Sequence, residues 1–216
     1  METLLRSDLV ETSISGSPSP DSPQPSAALT GLGASLEASI PGIESHSQRV
    51  ACYAAAAARE LELPCREVER VRRAAAIHDI GKLEMPPGLV NRPGPLSPHE
   101  FAIVRRHAEA GERLARQFGQ GDLAAIIRHH HERFDGDGYP DGLSGEAIPL
   151  GARIVAVADT FDAVTSTRPY REAMAEREAL SLLWSEAGRQ LDPKVVAAFC
   201  AYYSGPRASL RRALER

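Results

Sequence analysis

Histidine and aspartate residues account for most of the chemistry that this sequence could perform. An adjacent pair, His78-Asp79, ends an apolar segment and is followed by Ile80-Gly81-Lys82. A run of three histidines, His129 to His131, precedes an acidic residue, and His46 and His107 stand singly in segments that we predict to be helical. Imidazole and carboxylate groups at this density are typical of a metal centre.

Asp159 gives a further indication of a metal. It follows the apolar residues 154–158, where an unpaired carboxylate is costly, and no lysine or arginine lies within one helical turn of it. A metal cation would supply the missing positive charge. Taken singly, these residues are also compatible with a hydrogen-bonded core histidine, a helix cap or a solvated helix end; only their combination favours a metal.

The ligand types restrict the metal. Imidazole and carboxylate without thiolate suit iron, manganese, zinc or nickel, and disfavour copper(I) and iron–sulfur clusters. The candidate ligands exceed the needs of one tetrahedral ion, whereas two ions sharing a bridging carboxylate would use them all, as in many sites of in-line phosphoryl transfer. These candidates are His46, His78, Asp79, His107, His130, His131 and Asp159.

Composition limits the other possibilities. The chain has 216 residues and a net charge of −4, which argues against a protein that binds nucleic acid polymers through their phosphates. Its 3 cysteines form no CxxC pair, so a disulfide scaffold or a cysteine-ligated zinc site is not expected. No apolar run approaches the length of a membrane span, and no secretory signal is visible, so we expect a cytoplasmic protein.

The elements that position these residues are predicted to be helices, which makes the fold class all-α. A Ser/Pro-rich segment, residues 1–27, is predicted to be a disordered tail, residues 28–204 a single domain, and residues 205–216 a basic C-terminal end. Aromatic residues make up only 5%, so the core must be built largely from Ala, Leu, Val and Ile.

Local signals place the helix ends. Ser45 with Gln48 predicts a capping box for an Ala-rich helix that reaches Leu61, and further helices are expected over 66–77, 171–187 and 193–203. Ser97 predicts the start of one helix that runs to about Phe118, and Asp122 predicts the cap of another that reaches His131. Residues 135–149 are predicted to be a loop, and the pattern over 152–165 fits a buried strand and a buried helix equally well.

Longer stretches of the sequence resemble a known family. His78-Asp79-Ile80-Gly81-Lys82 and the segment His130-His131-Glu132-Arg133-Phe134-Asp135-Gly136-Asp137-Gly138-Tyr139-Pro140 resemble motifs of the HD-GYP subgroup of HD-superfamily phosphohydrolases. Supporting stretches are 46–50, 148–149, 152–154, 158–163 and 165–171. The resemblance extends over about residues 40–200.

The resemblance implies a single helical HD-type domain and a bacterial phosphodiesterase that linearises cyclic di-GMP to pGpG, and often onward to GMP. It implies two divalent ions, iron or manganese, and in-line attack by a hydroxide that bridges them. His46, His78, Asp79 and Asp159 resemble the shell of the first ion, and His107, His130 and His131 that of the second, with Asp79 as the bridge. Lys82 resembles a phosphate-contacting, catalytic lysine, and Tyr139, Arg168 and Arg171 resemble nucleotide and phosphate contacts.

One departure from the family pattern bears on the number of ions. Some members carry a glutamate four residues before the first histidine, which supports a third metal; here that position is Gly42, so we expect two ions. Two alternatives remain open at this point. One is a dinuclear phosphohydrolase for another nucleotide or cyclic dinucleotide. The other is a binding module that senses cyclic di-GMP, or docks on a diguanylate cyclase or other signalling protein, with little turnover.

Overall fold

A computed structural model describes residues 36–86, 88–89, 94–167 and 172–204. The predicted tail, the basic C-terminal end, Arg168 and Arg171 therefore lie outside the described residues. The helices are α1 (Ile43–Glu60), α2 (Cys65–Ala76), α3 (Pro98–Arg105), α4 (His107–Gln117), α5 (Ala124–His129), α6 (Leu150–Thr165), α7 (Glu176–Ser185) and α8 (Pro193–Ser204). Short 3₁₀ helices cover Ile80–Glu84 and Gly145–Ala147. These described ranges contain no β-strand, which confirms the all-α prediction.

The core lies where α1, α2, α6 and α8 meet. Alanines fill much of it: Ala54, Ala57 and Ala58 on α1 and Ala152 and Ala158 on α6 are fully buried. Because alanine side chains are small, helix axes can approach closely and residues 152–165 pack as a helix buried on most of its surface. The composition-based expectation of an aliphatic core is met, with one aromatic cluster of Tyr53, Phe161, Phe199 and Tyr203 added.

The capping box at Ser97 is confirmed. Its hydroxyl accepts from the backbone N–H of Glu100 at 3.3 Å, and the Glu100 carboxylate accepts from the backbone N–H of Ser97 at 2.8 Å. The prediction of a single helix from Ser97 to Phe118 was wrong, because the chain forms two helices that meet at Arg106. This break sets the direction of α4, which begins at His107.

Two other predicted helix caps were wrong, and the helix predicted over 171–187 begins only at Glu176 and ends at Ser185. Helix α1 begins at Ile43, after Gly42, whose φ of 87° is readily accessible only to glycine. Ser45 is not its cap. The carboxylate of Glu37 instead accepts hydrogen bonds from the backbone N–H groups of Gly42 and Glu44. Asp122 makes no cap hydrogen bond to α5, which begins at Ala124 and ends at His129 rather than His131. Two histidines of the run therefore follow the helix rather than belong to it.

A close backbone contact fixes the 3₁₀ helix of Gly81 against α4. A Cβ atom at Gly81 would lie 2.0 Å from the carbonyl oxygen of His107 and 2.5 Å from the backbone nitrogen of Gly111. Only glycine allows this approach, which brings the segment of Asp79 directly beside His107. Among the described residues, no helix is both long enough and apolar enough to span a lipid bilayer.

Candidate metal centre

Three buried histidines share one orientation. The Nδ1 atoms of His78, His107 and His130 lie 2.7, 2.6 and 2.6 Å from the carbonyl oxygens of Ala75, Val104 and Ile127, each three residues earlier. Each carbonyl belongs to the last turn of α2, α3 or α5, where the regular helical hydrogen bonds run out. Since a carbonyl oxygen can only accept, Nδ1 carries the proton in each ring and Nε2 presents a lone pair.

These lone pairs converge on Asp79. The Oδ2 atom of Asp79 lies 3.5 Å from Nε2 of His78 and 3.9 Å from Nε2 of His46, whereas its Oδ1 atom lies 3.5 Å from Nε2 of His107. The two oxygens of one carboxylate therefore face two different groups of histidines. The second group is completed by His130, whose Nε2 atom lies 3.4 Å from that of His107, and by His131.

Asp159 joins the first of these groups. Its Oδ1 atom lies 3.4 Å from Nε2 of His46 and 4.0 Å from Nε2 of His78. The side chain is 24% exposed, so it is not the fully buried carboxylate that its apolar sequence context suggested. The structure thus brings together all seven candidate ligands named from the sequence.

The histidines of the second group are neutral at pH 7. Burial lowers the pKa of His107, and burial together with the neighbouring His131 and His78 places that of His130 well below its ordinary value. Burial and the neighbouring His107 lower the pKa of His131 to about 3. Neutral imidazole is the form that binds metals, so these residues need no deprotonation before binding.

Asp79 remains ionised although it is buried. Burial raises its pKa, but the ammonium group of Lys82, the strongest opposing influence, prevails, and the pKa lies well below the usual range. The Nζ atom of Lys82 lies 2.5 Å from Oδ2 of Asp79, one turn along the 3₁₀ helix. Lys82 is therefore a partner of the central carboxylate and not a free surface charge.

Asp162 is a residue of the centre that the sequence reasoning did not assign. It is the fully buried carboxylate of α6, 1% exposed, and its Oδ2 atom lies 2.7 Å from Nδ1 of His46. The Arg49 guanidinium donates to both of its oxygens, at 2.5 and 3.0 Å, and also to the hydroxyl of Ser166. Burial raises the pKa of Asp162, but the hydrogen bonds from His46 and Arg49 prevail and lower it to about 2.

The position of Asp162 could have signalled this role. It follows Asp159 by three residues, so on a helix both carboxylates lie on one face. Asp162 orients His46 by accepting from Nδ1, which leaves Nε2 for the centre; such carboxylate–histidine pairs commonly support metal ligands.

His129 lies outside the convergent set. Its Nε2 atom is 2.8 Å from Oδ2 of Asp141, and its Nδ1 atom is 2.8 Å from the carbonyl oxygen of Ala125. Asp141 also receives two hydrogen bonds from Arg128, at 2.7 and 2.8 Å. His129 and Arg128 thus anchor to α5 the loop of residues 135–149, which we call the glycine-rich loop.

The same loop places Tyr139 against the centre. The backbone N–H of Tyr139 donates to the carbonyl of His131, and the two rings stack with centroids 4.9 Å apart. The buried carboxylate of Glu132 accepts the backbone N–H of Asp141 at 2.7 Å and holds the loop on its other side. Gly138 is required here, since a Cβ atom would lie 2.3 Å from the backbone nitrogen of Arg133.

An open cleft of about 680 Å³ reaches the centre beside His46 and Asp79. The side chains of Lys82 and Arg49 contribute two positive charges to its lining, together with the Ser166 hydroxyl. The carboxylates of Asp79 and Asp162, which pair with these two cations, belong to the same lining. A cleft of this size suits a small ligand rather than a macromolecule.

The donor set fits divalent metal ions. The Nε2 atoms of His107 and His130 face each other at 3.4 Å, and both carry lone pairs because their Nδ1 atoms donate to carbonyls. Two buried acceptors at this distance are unfavourable unless a cation lies between them. The two ligand groups, each including Asp79, are His46, His78 and Asp79, and Asp79, His107, His130 and His131.

The geometry therefore defines a helical domain with a histidine–aspartate cluster suited to divalent metal ions, reached by an open cleft. The family model described as HD domain matches residues 34–195, and the chain belongs to the HD domain family. The resemblance drawn from the sequence motifs is confirmed.

Relatives and solved structures agree with this assignment. The chain is 42% identical over 175 residues to the cyclic di-GMP phosphodiesterase response regulator RpfG of Xanthomonas campestris, covering 79% of this chain and 46% of the relative. It is 37% identical over 171 residues to 3'3'-cGAMP-specific phosphodiesterase 3 of Vibrio cholerae, covering 79% and 37%. The chain thus spans less than half of either relative. Bd1817, an HDG"Y"P protein of Bdellovibrio bacteriovorus, shares the fold with a TM-score of 0.61 at 20% identity, over 82% of this chain and 58% of that one.

Proposed function

We propose that this chain is a metal-dependent phosphodiesterase that hydrolyses cyclic di-GMP to pGpG; product analysis distinguishes this end point from further cleavage to GMP. The observation that supports this most directly is the arrangement of Asp79, whose two oxygens face two separate groups of histidine Nε2 atoms. A relative with 42% identity carries the name of a cyclic di-GMP phosphodiesterase.

We assign the ligands to two divalent ions, iron or manganese. His46, His78, Asp79 and Asp159 hold the first ion, and Asp79, His107, His130 and His131 hold the second. When bound, such a pair lowers the pKa of coordinated water enough to supply a hydroxide nucleophile near neutral pH and offsets the charge of the phosphoryl oxygens. Both functions match the hydrolysis of a phosphodiester.

The side chains around the centre bind and orient the substrate. Lys82, which lies against Asp79 at the floor of the cleft, provides an ammonium group for a phosphoryl oxygen. Tyr139, stacked on His131, forms an adjoining aromatic wall for the nucleotide. Arg168 and Arg171, outside the described residues, remain assigned to phosphate contacts on the family pattern alone.

A second candidate substrate is 3'3'-cGAMP, because the Vibrio cholerae relative that is 37% identical carries that specificity in its name. Both substrates share the same backbone of two phosphodiesters and differ in one purine base. The centre described above would act on either, so the base contacts decide between them.

The proposal is tested by incubating anaerobically purified, metal-quantified protein with cyclic di-GMP, 3'3'-cGAMP and cyclic di-AMP and separating the products by chromatography. We expect about two ions per chain, formation of pGpG, loss of turnover with a chelator and recovery with iron(II) or manganese(II). Binding of cyclic di-GMP without turnover in the metal-loaded protein would instead identify a sensing module. Preferred cleavage of 3'3'-cGAMP would establish the second candidate.

A further inference from the structure

Beside the metal centre, three side chains form a compact cluster, of which the proposed function uses only Tyr139. Phe101 and Arg105, four residues apart on α3, lie on one helix face, and Tyr139 approaches them from the glycine-rich loop. The Arg105 Cζ atom lies 4.8 Å from the centroid of each ring, and the ring centroids are 6.3 Å apart. We call these residues the Arg105 cluster.

The Arg105 guanidinium is rich in unused donors. It has five N–H groups, yet within the described ranges no residue accepts a hydrogen bond from it or pairs with it, and its contacts are the two rings. The arginines beside the metal centre differ in this respect, since Arg49 and Arg128 are both held by carboxylates. The guanidinium is held by cation–π contacts with two rings that lie at 81° to each other, and its N–H donors make no hydrogen bond to a described residue.

The cluster also offers an exposed aromatic surface. Phe101 is 43% exposed. Among the described residues, the exposed large hydrophobic side chains are Phe101 and Trp184. Base stacking on such rings stabilises nucleotide binding by roughly tenfold or more per base. The guanidinium of Arg105, next to Phe101, provides hydrogen-bond donors for acceptor atoms on the edge of a purine base.

One ring connects the cluster to the metal centre. Tyr139 packs against Arg105 on one side and stacks on His131, 4.9 Å away, on the other. A nucleotide whose phosphate lies at the histidines therefore has its base within reach of the cluster.

We propose that the Arg105 cluster is a base-binding subsite selective for guanine. Guanine presents two adjacent acceptors, O6 and N7, that match the parallel donors of a guanidinium; adenine presents an acceptor and a donor at that edge, and the donor opposes the arginine. Phe101 supplies stacking for either purine, and Arg105 supplies the discrimination. This proposal deepens the proposed function, because it rests on a nucleotide phosphate at the metal centre.

The test compares GMP with AMP binding to the metal-loaded protein by calorimetry, in the wild type and in Arg105→Lys, Phe101→Leu and Arg72→Ala. Arg105→Lys keeps the charge and removes the fork, so we expect the preference for GMP over AMP to fall by about tenfold. Phe101→Leu should weaken the binding of GMP and of AMP to the same extent. Arg72→Ala is the control. Arg72 is an exposed arginine that pairs with Glu69 on α2, and its loss should change neither the binding of GMP nor that of AMP.

Hydrolysis supplies the second readout. In Arg105→Lys, kcat/KM for cyclic di-GMP should fall, while the rate on bis(p-nitrophenyl) phosphate, which has no base, and the metal content should stay at wild-type values. A wild type without preference for GMP, or a preference kept in Arg105→Lys, overturns the proposal. Equal losses on the base-free substrate overturn it too, since Arg105 would then only brace Tyr139. Failure of the wild type to cleave any cyclic dinucleotide would refute the proposed function, and the mononucleotide comparison would still decide the subsite.

Discussion

The imidazole of His46 donates from Nδ1 to the buried carboxylate of Asp162 at 2.7 Å, and this bond determines which ring nitrogen faces the metal centre. Arg49 neutralises the same carboxylate from its other side, with the shorter of its two bonds at 2.5 Å. Asp162 lies one turn beyond Asp159 on α6, so the residue that positions His46 and a candidate metal ligand share one helix.

Asp162→Asn should weaken metal binding without removing a ligand. The amide keeps the shape but loses the charge that fixes His46, and loss of such a supporting carboxylate lowers metal affinity by roughly 10- to 100-fold. Chelator competition with metal quantification measures this effect. Asp122→Asn, a change at an exposed carboxylate paired with Arg73, is the control. Wild-type affinity and turnover in Asp162→Asn would contradict the positioning role.

Asp79→Ala should remove both ions together. The carboxylate faces both groups of histidines, so its loss deprives each of a negatively charged ligand. We expect metal content and phosphodiesterase activity to fall in parallel, while circular dichroism shows the helices retained. A variant with one tightly bound ion would show that Asp79 belongs to a single site.

The three consecutive histidines should differ sharply in their effects. His130→Ala should abolish activity and reduce metal content, because its Nε2 atom faces that of His107. His129→Ala should leave metal content unchanged, because its ring bonds Asp141 and Ala125 instead. Comparable metal loss in both variants would mean that the ligand assignment within the run is wrong.

Asp141 should make stability depend on acid pH. The hydrogen bonds from Arg128 and then His129 lower its pKa below the ordinary value, so in acid the unfolded chain takes up a proton before the native one does. Its contribution is therefore complete above about pH 5 and is lost progressively as the pH falls below that. Because the side chain is 37% exposed, solvent screening limits this contribution to about 1 kcal/mol.

Urea unfolding of the wild type and Asp141→Asn at pH 5 and pH 3 measures this contribution. The difference in free energy of unfolding should be larger at pH 5 and should shrink at pH 3. A difference that stays constant between the two values would assign the effect of the substitution to something other than the charge of Asp141.

Gly81→Ala should be strongly destabilising. The added methyl group would meet the backbone of His107 and Gly111, neither of which can move without displacing α4, so we expect a loss of about 2 kcal/mol or more. Gly121→Ala is a suitable control, because a Cβ atom there has no neighbour within 4 Å. Thermal unfolding compares the two variants, and equal melting temperatures would contradict the close packing inferred for Gly81.

The sequence predicted the helical class and named all seven side chains that converge at the centre, because residue types, motifs and composition are local signals. Residue types and motif spacing identified His107 and Asp79 as candidates, although only the tertiary contact at Gly81 makes them neighbours. The role of Asp162 was missed because it depends on α1 and α6 lying side by side. The break at Arg106 was also missed, since the apolar pattern runs through it and no proline or glycine marks it.

The bonds from Nδ1 to a carbonyl three residues earlier have a consequence for how the centre assembles. Each of them, at His78, His107 and His130, is contained within four consecutive residues at a helix end. The tautomer of each ring in the folded protein is therefore set by a short-range contact. Bringing the rings together instead requires contacts across as many as 52 positions of the chain, from His78 to His130. The orientation of the three rings is thus specified by short-range contacts, whereas their proximity depends on long-range packing.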